Sequence, residues 1–162
     1  MWNHAFIDGQ NLHLWIKADW WKLNLNKFWI YLQNKYNVDK AYYYIWFYDS
    51  QHQQLYNDIQ SSWFTLVFKK QTVQSLSKKK WNVDSDLIFE VMRQLLKESN
   101  TFDKVLLVSW DWDYKILVDF LIQENRFGKI LIPNKKWSST LLRKLPGKFW
   151  DCLINIKQKI EK

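Results

Sequence analysis

A chain of 162 residues can hold one domain with a sizeable core. No apolar run approaches the ~20 residues of a membrane span, and Met1-Trp2-Asn3-His4 has neither the basic nor the apolar part of a secretory leader. The lone Cys152 excludes an internal disulfide framework and fits a reducing cytoplasm, while the net charge of +8 suits a polyanionic partner.

His4-Ala5-Phe6-Ile7 predicts a short strand ending at Asp8-Gly9-Gln10-Asn11-Leu12, with a short helix from Leu12 to Lys17 behind it. Asn26 is placed to cap a helix from Lys27 to Tyr36 whose apolar face is Phe28, Ile30, Tyr31, Leu32 and Tyr36. Asn37-Val38-Asp39 makes a turn, and the aromatic run from Ala41 to Phe47 reads as a buried strand. Asp49-Ser50 caps a polar helix to about Gln60, and Phe64 to Phe68 is the third strand. A polar stretch from Lys69 to Lys80 follows. Asn82-Val83-Asp84-Ser85-Asp86 then opens a helix from Leu87 to Glu98, with Leu87, Val91 and Leu95 along one stripe and Ile88 and Met92 beside it. Asp84 and Asp86 suit the positive end of that helix.

Val105-Leu106-Leu107-Val108 is apolar throughout and predicts a strand buried on both faces. Ser109, Asp111 and Asp113 come directly after it, then a helix from Tyr114 to Glu124 and a fifth strand from Lys129 to Ile132. Ser138-Ser139-Thr140 caps a short helix through Leu145, stopped by Pro146-Gly147. From Phe149 on, the pattern fits either a short edge strand or a terminal helix with Ile154, Ile156 and Ile160 partly buried. Alternating strands and helices imply one α/β domain with a doubly wound, mainly parallel sheet of about five strands and right-handed crossovers.

Twelve tryptophans stand against three glycines, where ordinary usage is roughly 7% glycine. Several of these tryptophans occupy turn positions that favour glycine. The excess of one residue and the deficit of the other lead to an expectation: some are glycines encoded by UGA and read as Trp, with Trp15, Trp20, Trp46, Trp63, Trp81, Trp110, Trp112 and Trp137 as the candidates. The alternative is a Trp-rich chain whose aromatics stack on bases.

Asp8, Asp84, Asp86, Asp111 and Asp113 all fall on the carboxyl-end side of the expected sheet, and they converge if the first and fourth strands are neighbours. Oxygen ligands of this kind suit Mg²⁺ or Mn²⁺. Either residue-level reading stays open for Asp111 and Asp113: a metal pair, or a helix cap followed by a solvated carboxylate. His4, His13 and His52 form no zinc-type motif, and neither a phosphate loop nor a Ser-His-Asp set is visible.

Phe6 to Leu12 (FIDGQNL), Asn82 to Met92 (NVDSDLIFEVM) and Leu106 to Leu121 (LLVSWDWDYKILVDFL) resemble, in order and separation, three motifs of the NYN domain. This is the LabA-like branch of the PIN-like nuclease superfamily. The resemblance spans roughly residues 4 to 145; where the family pattern reads SGDGDY and KGNVD, this chain has Trp110, Trp112 and Trp81 in place of glycine. It implies a Rossmann-like three-layer sandwich across residues 1–162, with 146–162 as a C-terminal extension. It also implies a metal-dependent ribonuclease holding Mg²⁺ or Mn²⁺. Asp8 would then be the central ligand, joined by Asp84, Asp111 and Asp113, with Asn11 orienting Asp8, Ser109 supporting the loop and Asp86 as a further member. One or two ions would neutralise the scissile phosphate and activate a water.

Lys69, Lys70, Lys78, Lys79 and Lys80, together with Lys135, Lys136, Arg143, Lys144 and Lys148, are expected to flank the acidic cleft and hold an RNA backbone. Ordinary solvated lysines are the plainer account of each one singly. RNA is the expected partner, a second copy of the chain a further one, and a membrane is not expected. Two other functions compete: a catalytically impaired NYN-fold module that binds RNA, and, further off, a phosphotransfer receiver built on clustered aspartates. Pro133-Asn134-Lys135 matches the lysine such a receiver needs only loosely.

Overall fold

The structure, a computed structural model, describes residues 1–18, 21–45, 48–68, 83–134, 140 and 144–162, with Val83 and Asp84 described in backbone only. Val105-Leu106-Leu107-Val108 forms β4 (Val105–Val108) with all four side chains buried. β4 pairs in parallel with β1 (Asn3–Asp8) on one side and β5 (Phe127–Ile132) on the other. β2 (Val38–Ile45) and β3 (Thr65–Phe68) extend the sheet beyond β1, and β6 (Trp150–Cys152) extends it beyond β5. All six strands run parallel in the order β3-β2-β1-β4-β5-β6.

Because successive residues of a strand face opposite ways, β1 feeds two cores. Ala5 and Ile7, with Leu106 and Val108, pack under α1 (Gly9–Ala18), α2 (Leu25–Tyr36) and α6 (Lys157–Ile160), through Trp15, Phe28, Leu32 and Ile160. Ile59 of α3 (Gln53–Ser61) joins the same core. Phe6 and Leu107 face the other way, toward Leu87 and Val91 of α4 (Val83–Lys97) and Val118 and Leu121 of α5 (Lys115–Gln123). The result is a three-layer α/β fold. From β1 the chain winds outward to β2 and β3, returns through α4 to the centre at β4, and winds the other way to β5 and β6. The strand order therefore reverses between β1 and β4, and in open α/β sheets this is where ligands bind, beyond the carboxyl ends.

Local expectations and structure differ in instructive places. The cap of α2 is Asn24, whose side chain accepts from Lys27 N at 3.0 Å, rather than Asn26. The apolar stripe of α4 holds, with Leu87 and Val91 buried and Ile88, Met92 and Leu95 packed on the same core, but it gains a polar member: Gln94 is buried, its Oε1 3.0 Å from His4 Nδ1 on β1. The chain after Phe149 makes both proposed elements in turn, the edge strand β6 and then the short helix α6. The polar stretch 69–80 lies outside the described residues, as does the Ser138-Ser139 part of the predicted cap.

The tryptophans divide. Trp15 is fully buried and meets Trp21 edge-on at 4.9 Å, so it is core and not a turn residue. Trp63, between α3 and β3, has φ 70° and is 74% exposed. The other described non-glycine residues with positive φ are Asn37 and Asn125, a residue type that tolerates this region. Trp20, Trp46, Trp81 and Trp137 lie outside the described residues.

Candidate active site

Asp8 ends β1, and the next residue, Gly9, begins α1. This abrupt strand-to-helix junction requires glycine. A Cβ on Gly9 would stand 2.5 Å from the Tyr44 carbonyl oxygen and closer still to the Tyr43 ring. The junction turns the first helical residues back onto the Asp8 carboxylate: Asn11 N donates to Oδ1 at 3.0 Å, and Asn11 Nδ2 donates to Oδ2. Tyr114 Oη, fully buried, donates to the same Oδ2 at 3.2 Å. Asp8 is thus a 3%-exposed carboxylate fixed by three donors.

The loop after β4 closes on it. Ser109 is buried, and its Oγ accepts from Asn11 Nδ2 at 3.3 Å and from Asp111 N at 3.1 Å. Asp111 Oδ1 accepts from Asp113 N at 3.1 Å, an N-cap for the 3₁₀ turn Trp112–Tyr114. Burial is the largest influence on Asp8 and raises its pKa; the Asn11 and Tyr114 donors pull it down, and the nearby Asp111 charge raises it again. Two carboxylates from sequence positions a hundred apart therefore repel each other at the switch point, one of them desolvated.

The sequence pattern of the NYN domain matches residues 5–151. The chain belongs to the NYN domain family. Among solved structures, a protein of unknown function from Vibrio parahaemolyticus is similar at TM-score 0.73 and 20% identity, covering 99% of this chain and 95% of that one; the likeness is one of fold. No curated protein matches.

Of the NYN motif residues named from sequence, the structure brings together Asp8, Asn11, Ser109 and Asp111. Asp113 is exposed, and only its backbone contributes to the loop. Asp84 lies in the first turn of α4, a helix that packs against β1 and the 3₁₀ turn, but its side chain is outside the described residues. Burial is the main cause that raises the Tyr44 phenol, followed by Glu90 and Tyr42; the half-buried Asp86 adds the last and smallest part, opposite Arg93, which lowers it. Lys78, Lys79, Lys80, Lys135, Lys136 and Arg143 are outside the described residues, while Lys144 and Lys148 are exposed.

Among the described residues, no three His, Cys, Asp or Glu side chains form a group able to hold a metal ion. The full set Asp8, Asp84, Asp111 and Asp113 is therefore not assembled by the described part of the NYN domain. What the described residues bring together is a desolvated carboxylate, Asp8, with the charge of a second one, Asp111, nearby. Tyr114 is the site residue that sequence reasoning missed. It was legible only as the first apolar position of a helix, and a hydroxyl aimed at a carboxylate 106 residues away has no local signature.

Proposed function

We propose that this NYN domain is a Mg²⁺- or Mn²⁺-dependent ribonuclease. Its family has a PIN-like nuclease fold. The observation that carries the reading is the buried Asp8 carboxylate, held by Asn11 and Tyr114 beside Asp111 at the β1/β4 switch point. A structural carboxylate in that position would gain stability from a cationic partner. None of its described contacts is cationic, and Asp111 makes its charge less favourable.

Asp8 and Asp111, with Asp84 as the third member, would hold the ion. When bound, it would neutralise charge at the scissile phosphate and make a water more acidic. The chain's own part is placement. Asn11 and Tyr114 restrict the Asp8 rotamer, and Ser109 ties the β4 loop to α1 so that Asp111 faces Asp8. The lysine and arginine clusters would hold the RNA backbone as point charges.

A second reading, RNA binding without turnover, draws on Trp110 and Trp112. Both are half-buried, they pack against opposite cores on either side of Asp111, and Lys115 Nζ sits 5.5 Å from the Trp112 ring centre. Neither has a positive φ, so the backbone there accepts indole, and on this reading the two rings beside Asp111 would hinder access of a metal and its phosphate. Labelled RNA incubated with purified protein and Mn²⁺ decides between the two. The nuclease reading expects cleavage that EDTA stops and that falls at least a hundredfold in Asp8→Asn and in Asp111→Asn. Salt-sensitive binding with no Mn²⁺-dependent cleavage selects the second reading.

A further inference from the structure

Helix α4 buries one face against the sheet through Leu87, Val91 and Gln94. At about 3.6 residues per turn, Phe89 and Leu96 fall on the opposite side, and they are 69% and 82% exposed. The half-buried Met92 lies between them, toward one flank. Single exposed apolar residues are ordinary. Residues 89, 92 and 96, however, follow the alternating three-and-four spacing of a helix-pairing seam. The helix thus carries a second apolar stripe whose two ends are open to solvent. Charge along the same helix is sorted by halves. Asp86 and Glu90 belong to its first half, Arg93 and Lys97 to its second, and all four fall on the other flank of the outer stripe. Arg93 Nε donates to Glu90 Oε2 at 2.8 Å and ties the middle of this row. The half-buried Asp86 and the exposed Lys97 stand at its ends.

We infer that this face pairs with α4 of a second copy of the chain, the two helices antiparallel about a two-fold axis. Phe89 of each copy then meets Leu96 of the other, with the two Met92 side chains near the axis. The same symmetry sets the acidic half of each helix against the basic half of its mate, whereas a parallel pairing opposes like charges. This self-complementarity selects a second copy over an unrelated protein, because the row of charges matches its own reversal. RNA is a poor occupant: the flank presents two carboxylates, and Arg93 is already paired with one of them. The contact is small, since a helix of 15 residues is about 22 Å long. The dimer therefore belongs at the weak, concentration-dependent end of specific interfaces. It requires no catalysis and stands or falls apart from the nuclease reading.

Sedimentation of the full chain from micromolar to millimolar concentration should show a monomer–dimer equilibrium. Leu96→Glu, a change at an exposed position, should raise the dissociation constant roughly tenfold or more with far-UV circular dichroism unchanged. Lys97→Glu should weaken the dimer too, and adding Asp86→Lys to it should restore pairing, a rescue that apolar stickiness alone does not give. Orientation is read by disulfide trapping, since the native Cys152 is buried. A mixture of Phe89→Cys and Leu96→Cys chains should cross-link, and neither variant alone should. In the antiparallel pair, like positions lie about 10 Å apart along the axis, beyond the reach of a disulfide. A chain that stays monomeric at millimolar concentration, or a dimer indifferent to Leu96→Glu, overturns the pairing. So does a failed charge exchange, or cross-linking of Leu96→Cys with itself.

Discussion

Trp63 holds a left-handed backbone conformation that costs an L-residue roughly 1–2 kcal/mol and glycine almost nothing. Its side chain offsets little of that cost, being 74% exposed. Ser62 N and Trp63 N close the end of α3 onto Asp58, Ile59 and Gln60 carbonyls, the position after a helix where glycine is most often found. Trp63→Gly should therefore raise stability by about 1 kcal/mol, a Tm gain of about 2–4 °C for a chain of this size, read by thermal unfolding. A lower Tm would mean that the indole packs on something the turn needs. The same position sharpens the question of the codons. A TGG at residue 63 keeps a strained tryptophan there, whereas the glycine expectation requires TGA in a genome that reads that codon as glycine. Trp15 gives the opposite expectation, since its ring fills the α1 core and glycine there would leave a large cavity.

At the scale of the elements, what could be read locally was read well. β4 matched its four-residue apolar run because burial on both faces leaves no polar position to blur the pattern. Misreadings came where a partner distant in sequence decides. Gln94 is buried beside the apolar stripe of α4, unforeseen from the local pattern, because His4, ninety residues away, lies within hydrogen-bond distance of it inside the core. Asn24 and Asn26 both precede Lys27 in the run Leu23-Asn24-Leu25-Asn26, and only the backbone geometry chooses between them. β6 has three residues, too few for any periodicity. The His4 contact also carries a pH dependence. His4 is fully buried, stacked on Phe102 at 4.1 Å, with Nε2 3.5 Å from Asp39 Oδ1. Burial lowers its pKa below 6.5; the Gln94 bond and the Asp39 and Glu98 charges oppose this without prevailing, and Lys40 reinforces it. With the folded pKa below the unfolded one, the neutral ring belongs to the native state. Stability is whole above pH 6.5 and is lost as pH falls through the interval, by up to about 1.4 kcal/mol per pH unit. Thermal unfolding between pH 7.5 and 5 should show that slope, and His4→Gln should flatten it.

For the molecule as a whole, the decisive feature is the reversal of strand order, which places the ends of β1 and β4 side by side and turns two unremarkable aspartates into one electrostatic problem. The carboxyl edge of the sheet brings two like charges together in a protein whose net charge is +8, so the local field at the site opposes the field of the whole chain. The consequence for stability has a definite sign. Asp8 has a folded pKa raised above its ordinary 3.8, chiefly by burial, so the native state prefers the protonated acid. Its favourable contribution is complete below pH 3.8 and is lost as pH rises through the raised folded value. In EDTA, wild-type stability should fall over that window relative to Asp8→Asn. A cation that binds only the folded chain reverses the loss by mass action, by about 2.7 kcal/mol at a hundredfold excess over Kd, or roughly 5–11 °C in Tm at this chain length. Wild-type protein at pH 7 should therefore melt higher as Mn²⁺ is titrated in, and Asp8→Asn and Asp111→Asn should not. A Tm indifferent to Mn²⁺ and Mg²⁺ in the wild type would show that the two carboxylates tolerate each other without an ion. The metal-dependent mechanism would then lose its physical ground, whatever the affinity of the chain for RNA.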